Sequence, residues 1–271
     1  MKQKDKSHRI TYLNFDNSLK EQTFLQYYPH HWICCSNIPH TNGFCETESL
    51  NEIRKRLQVK QVSPLVLIGN GNFHYVTYLL LERVKGPFSL ILFDHHDDMK
   101  KDDFSLISCG SWVRYALERN ANLNKVVIIG VNEENQTCDL PNELHKRVLT
   151  ITEQKIKDIH LQDIVHELRQ FLPEEKNIYI SIDKDVLYKR EAYTNWDQGS
   201  MTLVQLLFLL ENIVRHFQVV GMDICGEYVV NHQNEFERAT WEYVKMNEIV
   251  NRALLKFVEE YISPPEESLL A

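Results

Sequence analysis

Eight short apolar runs, separated by stretches of helical period, constrain this chain most. They fall at residues 10–15, 32–35, 65–68, 88–93, 126–131, 147–150, 178–182 and 219–224. Several are apolar at consecutive positions, as strands are when both faces of a parallel sheet are covered. Between them, helical patterns run over 48–57, 73–84, 111–118, 161–172, 203–216 and 236–261. Thr202-Leu203-Val204-Gln205 forms a capping-box pattern ahead of the helix at 203–216. Alternation of this kind predicts a doubly wound α/β fold, a mainly parallel sheet with helices on both faces. No repeat, low-complexity tract or long linker interrupts it. Residues 1–262 therefore read as a single domain, and 263–271, with its Pro-Pro-Glu-Glu, as a C-terminal tail.

Two acidic motifs stand directly after two of these runs. Asp94-His95-His96-Asp97-Asp98 follows 88–93, and Asp183-Lys184-Asp185 follows 178–182. The carboxyl ends of strands are where open α/β sheets place their chemistry. Carboxylates and imidazoles crowded there are tolerable together when a cation neutralises them. On an extended chain, Asp94, His96 and Asp98 converge while His95 and Asp97 point elsewhere. Asp183 and Asp185 follow the same alternate spacing. Each of these residues alone reads as readily as a solvated turn residue. Joined on two strand ends, they point to a metal site for borderline-hard divalent ions, and to two ions rather than one. A third element, Gly69-Asn70-Gly71-Asn72-Phe73-His74, follows 65–68 and opens a helix. Its glycine spacing fits neither nucleotide motif and no Lys follows. Such a turn delivers His74 to the same sheet edge.

A net charge of −8 over 271 residues argues against a nucleic-acid partner and leaves room for a cationic substrate. The six cysteines include no CxxC pair, so they read as reduced and the protein as cytoplasmic. Residues 1–9 are charged and lack an apolar signal core, and no apolar run approaches a membrane span, so no membrane partner is expected.

Taken together, these motifs resemble those of the arginase and agmatinase family, the ureohydrolases. In that family a Gly-rich turn carries a His ligand, matched here by His74. A strand ending in D-x-H-x-D carries three more, matched by Asp94, His96 and Asp98, and S-[FI]-D-x-D carries two, matched by Asp183 and Asp185 after Ser181-Ile182. The resemblance runs from about residue 62 to 230. It implies a three-layer α/β/α fold of the arginase/deacetylase kind and two manganese ions. One ion would be held by His74, Asp94, Asp98 and Asp183, the other by Asp94, His96, Asp183 and Asp185, with Asp94 and Asp183 bridging. A metal-bridging hydroxide would attack a guanidino group and release urea and an amine, with Asp98 relaying the proton. The family's substrate-holding Glu follows a G-[LM]-D-I strand. Here Gly221-Met222-Asp223-Ile224 precedes Glu227, which comes one residue later than in arginases. The implied substrate is free or peptide-bound arginine or a related guanidino compound, and the implied assembly a homo-oligomer.

Three stretches depart from the family pattern. Where arginases have a His-Gly pair, this chain has Ser108-Cys109-Gly110-Ser111. Cys109 or Ser111 takes the place of that His, and Cys109 either packs as a small residue or faces the substrate. Tyr188 and Lys189 stand where the usual D-P continuation would be. The loop from Thr194 to Ser200 carries Trp196, which either shapes the pocket or caps the next helix. Cys109, Ser111, Trp196 and Glu227 are thus the candidate substrate residues. Two other readings compete. One is a zinc-dependent deacetylase of the same architecture, whose tandem His pair His95-His96 resembles superficially, although His96 lies inside the ligand motif; the other is a metal-binding member without turnover.

Overall fold

All eight apolar runs pair into one sheet. The structure, a computed structural model, describes residues 10–60, 62–102, 106–137, 139–172 and 176–262; the expected tail at 263–271 lies outside them. The strands are β1 (Ile10–Asn14), β2 (His30–Cys34), β3 (Phe44–Glu46), β4 (Leu65–Gly69), β5 (Phe88–Phe93), β6 (Leu106–Ser108), β7 (Leu123–Val131), β8 (Val148–Thr152), β9 (Asn177–Asp183) and β10 (Gln218–Cys225). The α-helices are α1 (Thr47–Val59), α2 (Val76–Leu81), α3 (Trp112–Arg119), α4 (Asn142–His145), α5 (Glu153–Asp158), α6 (Leu161–Phe171), α7 (Leu203–His216) and α8 (Arg238–Tyr261).

The large sheet has the order β2-β1-β4-β10-β9-β5-β7-β8, and every pairing in it is parallel. Strands β3 and β6 form a separate antiparallel ribbon. That ribbon and the short helices α4 and α5 are absent from the sequence expectation, because three- to six-residue elements show too little periodicity to be read. Elsewhere the pattern predicts the elements closely. The Thr202–Gln205 capping box is formed, with each side chain meeting the other's backbone N–H.

Burial explains the continuous apolar runs. Successive strand residues alternate between two cores, Val66 and Leu92 on one face, Leu67 and Phe93 on the other. Helices α1, α2 and α3 cover the first face; α5, α6, α7 and α8 cover the second. Among the described residues, no helix is long and apolar enough to cross a membrane.

The chain passes from β4 through α2 directly to β5, yet β10 and β9 lie between those strands. The four middle strands β4, β10, β9 and β5 thus end side by side, and their carboxyl ends form the crevice where such sheets bind ligands. Ile180, fully buried in β9, is registered against Ile91 of β5 and Met222 of β10. Ile180→Ala should lower stability by about 2–5 kcal/mol. Urea denaturation would read this as a lower midpoint at unchanged slope; an unchanged midpoint would mean that the middle of the sheet is not the stable core.

Candidate metal centre

Each of the middle strands hands its chain to the crevice through a turn. After β4, the Asn70 side chain accepts from Asn72 N at 2.8 Å and sets a 3-10 turn, Gly71–Phe73, that delivers His74. A Cβ on Gly71 would lie 2.8 Å from Asp183 Oδ2, so only glycine lets this turn rest against the end of β9. After β5 the chain does not stay extended. His96 N donates to Asp94 Oδ1 at 2.7 Å, and Asp98 adopts a left-handed φ of 51°. A turn, rather than the alternate spacing of a strand, brings Asp94, His96 and Asp98 to one side. Trp112 Nε1 donates to Asp98 Oδ2 at 2.6 Å and Val113 N to Asp98 O at 3.0 Å, so the start of α3 holds that turn in place. At the end of β9, Asp183 Oδ1 accepts from Asp185 N at 2.9 Å, and Asp185 Oδ1 accepts from His95 N at 3.0 Å.

His74 Nδ1 lies 3.2 Å from Asp94 Oδ2, 3.4 Å from Asp98 Oδ2 and 3.6 Å from Asp183 Oδ2. Its other nitrogen lies 2.9 Å from Ser181 Oγ, which donates to Asp223 Oδ1 at 2.7 Å. A polar partner behind the ring is how ligand histidines are oriented. His96 Nδ1 lies 3.0 Å from Asp185 Oδ2 and 3.4 Å from Asp94 Oδ1. Asp94 therefore presents one oxygen to each imidazole. His74, Asp94 and Asp98 form one compact donor group, and Asp94, His96 and Asp185 another; a third joins His74, Asp183 and Cys225. Asp94 is common to the first two groups, and Asp183 joins the His74 side in the third.

Electrostatics fit this donor set to divalent cations. Burial, then the Asp94 charge, pushes the Asp98 carboxyl up to about 7. Burial and neighbouring carboxylates raise Asp183, and raise Asp185 well above the usual range. Burial opposes ionisation of Asp94 too, but hydrogen bonds with His74 and His96 outweigh it and hold that carboxyl low. Burial would lower His74, yet the Cys225 sulfur and the Asp94 and Asp98 carboxylates raise it well above an ordinary imidazole. These shifts favour proton uptake by the cluster, and a divalent ion would compete with those protons for the same oxygens and nitrogens.

A cavity of about 310 Å³ opens over these groups, walled by Lys100, Cys109, Trp196 and Asp197. Cys109 and Trp196 thus line the cavity over the donor groups, Trp196 39% exposed with its Nε1 donating to Asn72 Oδ1 at 2.9 Å. Two expected substrate residues are not brought there. Ser111 is buried in the turn between β6 and α3, where its Oγ accepts from Ser108 N at 2.9 Å. Glu227 is buried behind the metal loop, its carboxylate accepting from Lys184 Nζ at 2.5 Å, Asn251 Nδ2 at 2.7 Å and Gln22 Nε2 at 3.2 Å. Gly226 is the physical reason. At a φ of 91°, with a Cβ position only 2.6 Å from Asp183 Oδ1, it turns the next side chain away from the cavity.

His95 is likewise buried away from the donor groups, its ring nitrogens 3.5 Å from Glu153 and 3.8 Å from Asp197. It stands perpendicular to His96. Four residues of this neighbourhood are missing from the sequence expectation: Lys100, Lys184, Asp197 and Cys225. A lysine set between two acidic ligands signals a buried partner carboxylate, and Glu227 is that partner.

The chain matches the model of the arginase family over residues 9–261. An uncharacterized protein of Thermotoga maritima is 34% identical over 166 residues, 60% of this chain and 58% of that protein. The chain thus matches less than two thirds of that relative's length. Among solved structures, proclavaminate amidino hydrolase from Streptomyces clavuligerus matches with a TM-score of 0.65 at 14% identity, covering 93% of this chain and 91% of the other. Formimidoylglutamase from Bacillus subtilis gives 0.64 at 17% identity, covering 94% and 90%. Agmatine ureohydrolase of Thermoplasma volcanium gives 0.64 at 13%, covering 94% and 91%. At these identities the likeness to solved structures is one of fold.

Two outcomes follow from the site. Removing one member of a buried ion pair strands the other, at a cost of about 3–5 kcal/mol, whereas replacing both with apolar residues is often neutral. Glu227→Ala should therefore melt well below the parent, and Lys184→Met with Glu227→Leu should recover most of the loss. A Glu227→Ala protein of parental stability would free Glu227 from this structural role. The second outcome concerns pH. An unfolded Asp titrates near 3.9, so the Asp98 carboxyl, raised to about 7, contributes stability that is complete below the unfolded value and lost as pH rises through 7. Raised His74, His96, Asp183 and Asp185 act in the same sense. Asp94 is lowered, so its contribution is lost only in stronger acid. Thermal melts should show manganese raising Tm more at about pH 8 than at about pH 5; an equal rise at both would contradict the proton-filled cluster.

Proposed function

The chain belongs to the arginase family, and on that premise we propose that it is a dinuclear metal-dependent hydrolase acting on a guanidino group of a small substrate. The observation that carries this reading is Asp94 set between His74 and His96, which yields two adjoining donor groups on the floor of an open cavity. Carboxylate and imidazole donors on the His96 side suit manganese. When bound, a pair of divalent ions supplies Lewis acidity and lowers the pKa of water enough to provide a nucleophile at neutral pH.

The remaining steps belong to the protein's own residues. Asp98 Oδ1, the oxygen that Trp112 does not engage, takes the nucleophile's proton and returns it to the leaving amine. Attack at the guanidinium carbon then yields urea and an amine. With Glu227 neutralised by Lys184, the exposed carboxylate on the cavity wall that can meet a cationic head group is Asp197. Lys100 lines the same cavity and has no ion-pair partner among the described residues. It suits an anionic tail, so the substrate class is a guanidino acid, free or at the end of a peptide.

The test is urea release from guanidino acids and arginine-containing peptides by manganese-loaded protein. Turnover is expected for a subset of the panel. Lys100→Gln should raise KM for the acids about tenfold with kcat little changed, the loss of one charge-assisted contact. Silence across the panel, in protein that binds two ions per chain, would leave a metal-binding member without turnover. One tightly held zinc and no second ion would point instead to the deacetylase reading.

A further inference from the structure

Cys225 ends β10 at the floor of the crevice. Its thiol is buried and donates to Asp183 Oδ2 at 3.1 Å. That same carboxylate oxygen lies 3.6 Å from His74 Nδ1. The three side chains come from three different places, the end of β10, the end of β9 and the turn after β4, and their ligand atoms all lie within 4.8 Å of one another. A buried free cysteine usually packs as a small hydrophobe. This one faces an imidazole and a carboxylate that already belong to the metal cluster. Donors around a tetrahedral ion, with metal–sulfur and metal–nitrogen bonds of ordinary length, are about 3.5 Å apart. The observed Sγ–Oδ2 and Oδ2–Nδ1 separations fall on either side of that value.

We propose that Cys225 is a metal ligand, and that His74, Asp183 and Cys225 together make the inner side of the centre a site for a zinc-class ion. The inference rests on the metal-dependent reading above and alters which ion that reading takes. A thiolate favours zinc or cobalt over manganese, in the sense of both ligand softness and the general order of divalent affinities. The His96 side offers only imidazole and carboxylate donors, so the two sides of the centre differ in chemical preference. Ligation replaces the S–H bond by a metal–sulfur bond, and the thiol proton leaves to solvent.

Cobalt(II) titration of the metal-free full chain tests this without relying on turnover. A thiolate-to-cobalt charge-transfer band should grow in the near ultraviolet and saturate with the first ion bound. Cys225→Ser and Cys225→Val should both lose the band while keeping the parental circular dichroism. Cys109→Ser, which removes the cysteine on the cavity wall, should keep it. In competition experiments, the preference of the first site for zinc over manganese should fall about tenfold or more in Cys225→Ser. Cobalt bound by equilibrium dialysis with no such band, or a band lost in Cys109→Ser and retained in both Cys225 variants, overturns the proposal while leaving the metal centre standing. Failure of cobalt to bind at all overturns the metal-dependent reading as well.

Discussion

Four carboxylates buried side by side, those of Asp94, Asp98, Asp183 and Asp185, set the problem that the rest of the structure solves. Anions brought this close out of water repel strongly, because a low-dielectric interior screens them little. Two imidazoles wedge between them, and Ser181 and Asp223 hold one ring from behind. Trp112 and the backbone amides of His95, His96 and Asp185 donate to the carboxylates. None of these groups brings a permanent positive charge into the cavity floor, which is why the arrangement suits divalent ions.

The sheet makes that concentration of charge possible. Parallel strands buried on both faces are rigid, and their ends are fixed by register with neighbours. The crossover from β4 to β5 leaves two places that β9 and β10 fill, so three turns with candidate ligands and Cys225 meet at one edge. Two glycines allow the turns to close over the Asp183 carboxylate from opposite sides, Gly71 against one oxygen and Gly226 against the other. The site is thus tight because backbone, not only side chain, approaches the ligands.

Much of this is legible in the chain itself. All eight strands of the large sheet come from apolar runs, and the candidate metal ligands come from motifs at or shortly after their ends. Legibility stops where a residue's role depends on a neighbour distant in sequence. Glu227 stands close to where a substrate-holding Glu is expected, but one extra residue and a left-handed Gly226 turn it toward Lys184 and Asn251. Ser111 sits in the right loop and closes a local turn instead. Lys100 and Asp197 acquire meaning only when the cavity between their loops is known. Even for Asp94, His96 and Asp98, the convergence is as expected while its cause differs, a hydrogen-bonded turn in place of strand alternation.

Asn251 lies on α8, far along the chain from the loop it supports, and it completes the polar cage around Lys184 and Glu227. Lys184 is in turn the residue between Asp183 and Asp185. During synthesis, the strands that carry the ligands emerge first, and the last anchor of their loop emerges some sixty-seven residues after Lys184. A nascent chain halted before α8 would hold every one of the candidate metal-ligating side chains and both members of the Lys184–Glu227 ion pair, yet would leave that buried pair without the Asn251 amide. The buried ion pair behind the Asp183–Asp185 loop therefore gains its last polar partner at the end of the protein's own translation.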